Sequence, residues 1–486
     1  MKIPIIKHRK NVHGSVLVVG LVIASILGFT LASYLVLTQN QHRAMVRSAT
    51  WGSSLALTEA GVEEALALIN KYVGTPTELS TWTNSAVTLD GWTRSGNVFS
   101  KSNNVGSAIG GYTVYITNLL DSFNLPNKPA IYAEGSAVWN VADNSFLKPF
   151  YAAAGVQSQS TLSANAPVVR RVAVQTVRTP LFPVPKAAIG QINLRGNNIA
   201  TDSFDSSDPN YSINGKYPTG NLSKTKDNGT VITLSTLIDS LNVGNADIKG
   251  KVKTGPNGTI AIGANGSVGS KAWVEGGNNG IEPGYSADDV NLDFPNAVLP
   301  SVSWTAMPSL PLIKPVINGV TYDLILTSGN YIASTLPGRT YVWPGAEVIL
   351  RVTGSVSLSG TDRIDISTNA SMAVYMGSTS GANVSFSTTG NGNINNLSQN
   401  ALNFQLYGLP TCTSVSMGCN ASYTGTIYAP QADITWGGGG STTYDFVGAS
   451  VGRTDTMNGH ANFHYDENLA RRGPSKGYVP SSWAEK

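Results

Sequence analysis

The chain opens with one long apolar stretch and then breaks into many short alternating ones. From Asn11 to His42 there is no Asp, Glu, Lys or Arg, and Ser15–Leu37 is apolar apart from small or weakly polar residues. As a helix those 23 residues rise roughly 34 Å, enough to cross a hydrocarbon core of about 30 Å. The helical pattern runs on through Gln39–Arg47 into Ser53–Tyr72. There Leu55, Val62, Leu66 and Ile69 share a face, while Glu63, Glu64 and Lys71 fall mostly elsewhere. Unbroken, Ser15–Tyr72 makes a helix of roughly 87 Å, a stalk as well as an anchor. A cleaved secretory signal fits less well, because the run exceeds the usual h-region and no small-x-small site with a turn closes it.

Beyond residue 75 the period changes to two. Gly111–Thr117, Ala130–Val138 and Val168–Val177 alternate as strands, and we read residues 76–180 as a small α+β module hanging on the helix. Pro180-Leu181-Phe182-Pro183-Val184-Pro185 is a stiff break and a domain boundary. After Lys186, apolar-alternating runs of four to seven residues recur between Gly/Asn turns. Ala246–Val252, Gly258–Gly263, Ala346–Val352, Arg363–Ile366, Met372–Met376, Leu402–Tyr407, Thr424–Ala429 and Ala432–Trp436 are examples. Their spacing fits a sandwich or a parallel β-helix. The β-helix, right-handed, is preferred, because strands this brief with Ser, Thr and Asn between them suit stacked rungs. The expected organisation is a basic leader (1–14), a membrane and stalk helix (15–75), the module (76–180), the β-helix (187–470) and a tail (471–486). The fold class is mainly β.

Composition agrees and narrows the function. Charged residues are 13% of the chain, about half the usual share, and 51 glycines supply the turns. The net charge of +3 is largely carried by Lys2, Lys7, Arg9 and Lys10. That basic leader belongs on the cytoplasmic side of an inner membrane crossed once, leaving the bulk outside. No basic stripe interleaved with aromatics follows, which excludes nucleic acid as a partner.

His13-Gly14-Ser15-Val16-Leu17-Val18-Val19 resembles a prepilin-type start, and Leu57-Thr58-Glu59-Ala60-Gly61-Val62-Glu63-Glu64-Ala65-Leu66 is similar to the helix end of the PilX-like N-terminal family of type IV pilus assembly proteins. The resemblance implies cleavage after Gly14, with Ser15 as the new terminus, and it implies assembly with other pilin-like subunits and their machinery. Major pilins carry Glu where Val19 stands and usually Phe where Ser15 stands. The departures imply a minor, initiating or tip component rather than a bulk subunit. The ending Thr424–Leu469 looks like β-helical domains that follow such starts in bacterial surface proteins. The function expected is therefore non-enzymatic: assembly through the helix and adhesion through an outward β-helix to polysaccharide, host or abiotic surface; the alternatives are a membrane-tethered polysaccharide lyase or hydrolase and a structural envelope protein independent of any filament.

Several side-chain groups invite chemistry. Cys412 and Cys419 lie in a Ser/Gly stretch, and outside the cytoplasm a disulfide stapling a loop is the natural reading. His460 and His464, with Asp466 close by, have the spacing of divalent-metal ligands, or they belong to a polar segment capping the last coil. Asp202, Asp205 and Asp208 make an oxygen-rich loop of the kind that holds calcium, although Asx and Ser turns explain the same letters. Trp343 and Trp436 offer sugar-stacking faces or ordinary packing. No Gly-x-Ser-x-Gly elbow, P-loop or Rossmann fingerprint appears in a supporting context. A polysaccharide-cleaving enzyme would draw on candidates such as Asp362, Arg363 and Asp365, which sit close together in sequence.

Overall fold

A computed structural model describes residues 13–71, 90–107, 109–119, 128–138, 167–196, 198–419, 421–438 and 443–486. The basic leader and parts of the 76–180 module lie outside these residues. The fold is mainly β with one long N-terminal helix, and the chain divides into two units. The first contains the helix, the strands up to Val177 and Val479–Lys486, and the second contains Arg178–Tyr478.

In the first unit, α1 (His13–Lys71) is unbroken over 59 residues. Its leading part, Val16–Leu37, is almost wholly exposed, and α1 is the one helix among the described residues long and apolar enough to cross a membrane. The trailing part packs on an antiparallel sheet of β1 (Thr93–Ser95), β2 (Val98–Gly106), β3 (Gly110–Thr117), β4 (Ala130–Ala137) and β5 (Val168–Pro180), in that order. The buried face is Ser54, Leu57, Thr58, Val62, Ala65, Leu68 and Ile69. It is rotated from the expected one, and Leu55 and Leu66 are only half-buried. The cause is a close crossing of backbones. A Cβ on Gly135 of β4 would lie 2.4 Å from the Ser54 carbonyl oxygen and 2.6 Å from the Thr58 nitrogen. Ser54 Oγ donates to the Gly135 carbonyl at 2.8 Å. Small residues face the sheet because larger ones would hold the helix off it.

The expected tail is instead a strand, Ser475–Glu485, beside β5. Ser481 Oγ donates to the Gln175 carbonyl at 3.1 Å, and Arg170 Nε donates to Glu485 Oε1 at 2.6 Å. The second unit is thus a long excursion between two neighbouring strands of the first.

In the second unit the strands pair in parallel apart from the short hairpin Val316–Ile317 and Val320–Thr321, and the parallel register can be followed step by step. One column runs Ala306, Ile332, Arg351, Tyr375, Tyr407, Tyr428, Val451, Ala187, Ile232, Lys253 and Ala287. The expected runs at 346–352, 363–366, 372–376, 402–407 and 424–436 all contribute strands. Their order in space is not their order in the chain. After Val451 the column continues with Ala187, so the earliest strands of the unit add on beyond the latest.

This order leaves Ala287 at one end of the column and Thr305–Ala306 at the other. Ten ladder steps span about 48 Å, within the roughly 60 Å that the intervening chain can reach when extended. The connection buries Val290, Phe294 and Ala297 against Tyr375, Tyr407, Tyr428 and Val451. Tyr428 Oη donates to the Pro295 carbonyl at 2.7 Å, and Tyr375 and Tyr407 stack at 4.7 Å. On the other side of the strands, aliphatic side chains and a cluster of Phe404, Tyr423, Phe446, Phe463 and Trp436 form the main core.

Candidate functional site

The most concentrated polar cluster lies at the junction of early and late strands. Ala461–Asp466 pairs with Ala200–Phe204 in the register that sets His464 beside Asp202, and Tyr444–Met457 brings Asp445 alongside. His464 Nδ1 is 2.6 Å from Asp202 Oδ1, and Nε2 is 3.3 Å from Asp445 Oδ1. Tyr217 donates to Asp202 Oδ2 at 2.9 Å, and its ring stacks on the imidazole with centroids 3.6 Å apart. Burial alone would lower the His464 pKa, but the two carboxylates outweigh it, so the net shift is upward. The same imidazole holds the Asp445 carboxyl below its ordinary range, against desolvation.

With a carboxylate at each ring nitrogen, His464 is placed to donate both ways as an imidazolium, the form that the raised pKa favours. Such a ring has no lone pair for a metal ion and no vacancy for a substrate proton. It acts as a clamp between strands.

The other acidic groups are engaged locally. Asp205 accepts from Ser207 N at 3.0 Å, Ser207 Oγ at 2.7 Å and Arg471 at 2.5 Å. Asp466 Oδ1 accepts from Ser206 N and Asn468 N, both at 3.0 Å, and burial raises its pKa despite them. Asp208 accepts from Asn210 N at 2.8 Å in an Asx turn. Glu467 ties Ser203 (2.9 Å), Asn228 (2.7 Å) and Lys226 together. The expected calcium loop at Asp202, Asp205 and Asp208 therefore does not converge. Among the described residues no three His, Cys, Asp or Glu side chains gather as a metal-binding group. His460 precedes the strand that carries His464 and stands outside its pleat, and its buried Nδ1 has no hydrogen-bond partner.

The cysteine expectation is corrected as well. Cys412–Cys419 is one strand, not a loop. Seven residues of strand separate the two Cα atoms by about 23 Å, whereas a disulfide needs them within about 7 Å. Cys412 is a free, buried thiol whose pKa burial pushes up to about 11. Trp436 is packed in the aromatic core, and Trp343 is 49% exposed. Asp365 is buried and accepts from Tyr322 Oη and Arg363, while Asp362 Oδ2 accepts from Ser359 N at 2.9 Å. These carboxylates hold turns and neighbouring strands. Tyr217 and Asp445 escaped the sequence reading because neither lies at a motif spacing from His464; the register alone brings them together.

Residues 315–472 match the model of a domain of unknown function, DUF7305. The matched stretch holds His464 and Asp445 of the clamp, while Asp202, in the strand Ala200–Phe204, and Tyr217, in the loop that follows, lie outside it. Among curated proteins and among solved structures nothing matches the chain.

Proposed function

We propose that this protein is a non-enzymatic, pilin-like envelope protein that displays a parallel β-helix outside the cytoplasm. The observation that carries this reading is the division of α1. Val16–Leu37 is apolar, uncharged and exposed, while Ser54–Ile69 is packed on an antiparallel sheet. A helix with one end free for lipid or for other helices and the other end fixed to a small sheet is the arrangement expected of a pilin-like subunit. The leader Lys2, Lys7, Arg9 and Lys10 stays cytoplasmic, α1 crosses the inner membrane once, and cleavage after Gly14 frees Ser15. In the membrane the helix stores the subunit, and on assembly it packs among the helices of other subunits. Val19 in place of a carboxylate suits a minor or tip position.

The parallel columns of the second unit are read as coils of the β-helix, with a long rigid face for adhesion to polysaccharide or another surface. N-terminal sequencing of membrane-extracted protein tests the proposal. A mature chain beginning at Ser15 supports it, and an intact chain still beginning at Met1 removes the pilin-like part and leaves a plain anchor.

A further inference from the structure

Two inward-facing columns of the second unit are apolar along their middle stretches except where early and late strands meet. One passes through Leu350, Val374, Leu406 and Ile427 and resumes as Val231 and Val252. Between those halves stand Ser450 and Lys186. The other passes through Phe386, Val415 and Ile434 and resumes as Ile192 and Leu241, with Asp455 between. Lys186 and Asp455 are both wholly buried, with Nζ 2.9 Å from Oδ2. Nζ lies 4.3 Å from the Phe463 ring centroid and 4.8 Å from that of Trp436. Packing does not explain the pair, since apolar residues fill the equivalent steps and a buried ion pair is often no more stabilising than they are.

The hydrogen bonding is lopsided. Asp455 Oδ2 accepts from Trp436 Nε1 at 3.3 Å and from Ser450 Oγ at 3.2 Å. Asp455 Oδ1 has no hydrogen-bond partner, and Lys186 Nζ, although within ion-pair distance, makes no aligned hydrogen bond. One oxygen is held as an amide carbonyl oxygen would be, and the other is left unbound. We propose that Lys186 and Asp455 condense into an intramolecular amide bond that clasps the early strands of the unit to the late ones.

The step is balanced within the pair. The ammonium passes one proton to the carboxylate, giving an amine and a carboxylic acid. Burial favours that neutral pair by lowering the Lys186 pKa, against the opposing pull of Asp455. Nζ then adds to Cγ. Trp436 and Ser450 stabilise the charge that grows on Oδ2. Oδ1 leaves as water with two of the three original ammonium protons, and the third remains as the amide N–H. The aromatic wall keeps water from reversing the reaction. The clasp is independent of the anchoring and display reading.

Mass spectrometry of the denatured full chain tests it. The wild type is expected lighter than its mature sequence by one water, and its digest is expected to contain one branched peptide joining Lys186 to Asp455. Asp455→Asn is expected to yield the same branched peptide with loss of ammonia. The paired variant Lys186→Met with Asp455→Leu keeps the core filled and is expected at its full sequence mass. Linear peptides covering both sites in the folded wild type, with no branched species, would overturn the proposal.

Discussion

His464 shows what one residue contributes at a junction of distant strands. Its pKa is raised above the ordinary 6.5, so its share of stability is complete below about that pH and is lost as pH rises through the raised value. The Asp445 pKa is lowered from 3.8, so its share is present above that value and is lost as pH falls through the lowered one. The clamp is therefore strongest in mildly acidic solution. We expect His464→Gln to cost about 2 kcal/mol there, where the variant gives up two charge-assisted hydrogen bonds that the wild type makes, and the gap between the two proteins to shrink as the solution becomes alkaline. Urea unfolding midpoints followed from about pH 5 to pH 9 check this, and a gap that widens with pH would contradict the assignment. At this scale the sequence was half informative. The acidic loop at Asp202, Asp205 and Asp208 and the imidazoles at His460 and His464 stood out as two separate groups, but composition alone cannot distinguish carboxylates that converge on an ion from those that serve separate turns.

At the scale of elements, α1 was legible as a membrane-length helix with a packed continuation, but its packed face was not. Hydrophobic periodicity weighs Leu55 and Leu66 above Ser54, Thr58 and Gly61, whereas the crossing with β4 selects for smallness. Gly135 is the counterpart on the sheet, and we expect Gly135→Ala to force the helix and β4 apart at a cost of about 1–3 kcal/mol. Thermal unfolding of the detergent-solubilised chain reads this loss. A melting temperature equal to that of the wild type would mean that the crossing is looser than described. The strands were legible for the opposite reason: alternating apolar positions in runs such as Ala346–Val352 and Met372–Met376 reflect burial directly. Cys412–Cys419 reads as a loop from sequence because Ser, Thr and Gly suggest turns. Its strand is held by neighbours on both sides, Val384–Gly390 and Tyr423–Trp436. The final strand Ser475–Glu485 was read as a tail because few of its residues are buried apolar ones.

Across the whole second unit, the order of strands was the feature least accessible from sequence, since local alternation says nothing about which strand lies next to which. Placing Lys186–Ala188 beyond Ser450–Gly452 makes the halves of the unit interdependent in a way that chain continuity does not require. Leu312 and Ile313 lie in a fully exposed stretch of the chain at the far end of the ladder. A protease site introduced between Leu310 and Lys314 should therefore be cut without unfolding. The two pieces meet at the pairing of Tyr444–Met457 with Lys186–Ala188 and Ile192–Leu194 and of Ala461–Asp466 with Ala200–Phe204, besides the Val290–Ala297 connection and the final strand beside β5. Hydrophobic burial along that junction should hold them together, so the nicked protein is expected to elute as one species in gel filtration. If the pieces separate without denaturant, the strand order described is wrong. Boiling in detergent then asks a second question of the same sample. Pieces joined only by packing part into two bands, as expected for Lys186→Met with Asp455→Leu. A wild type that still runs as one band carries a covalent bond across the junction, where the Lys186 amine and the Asp455 carboxyl group meet inside the core.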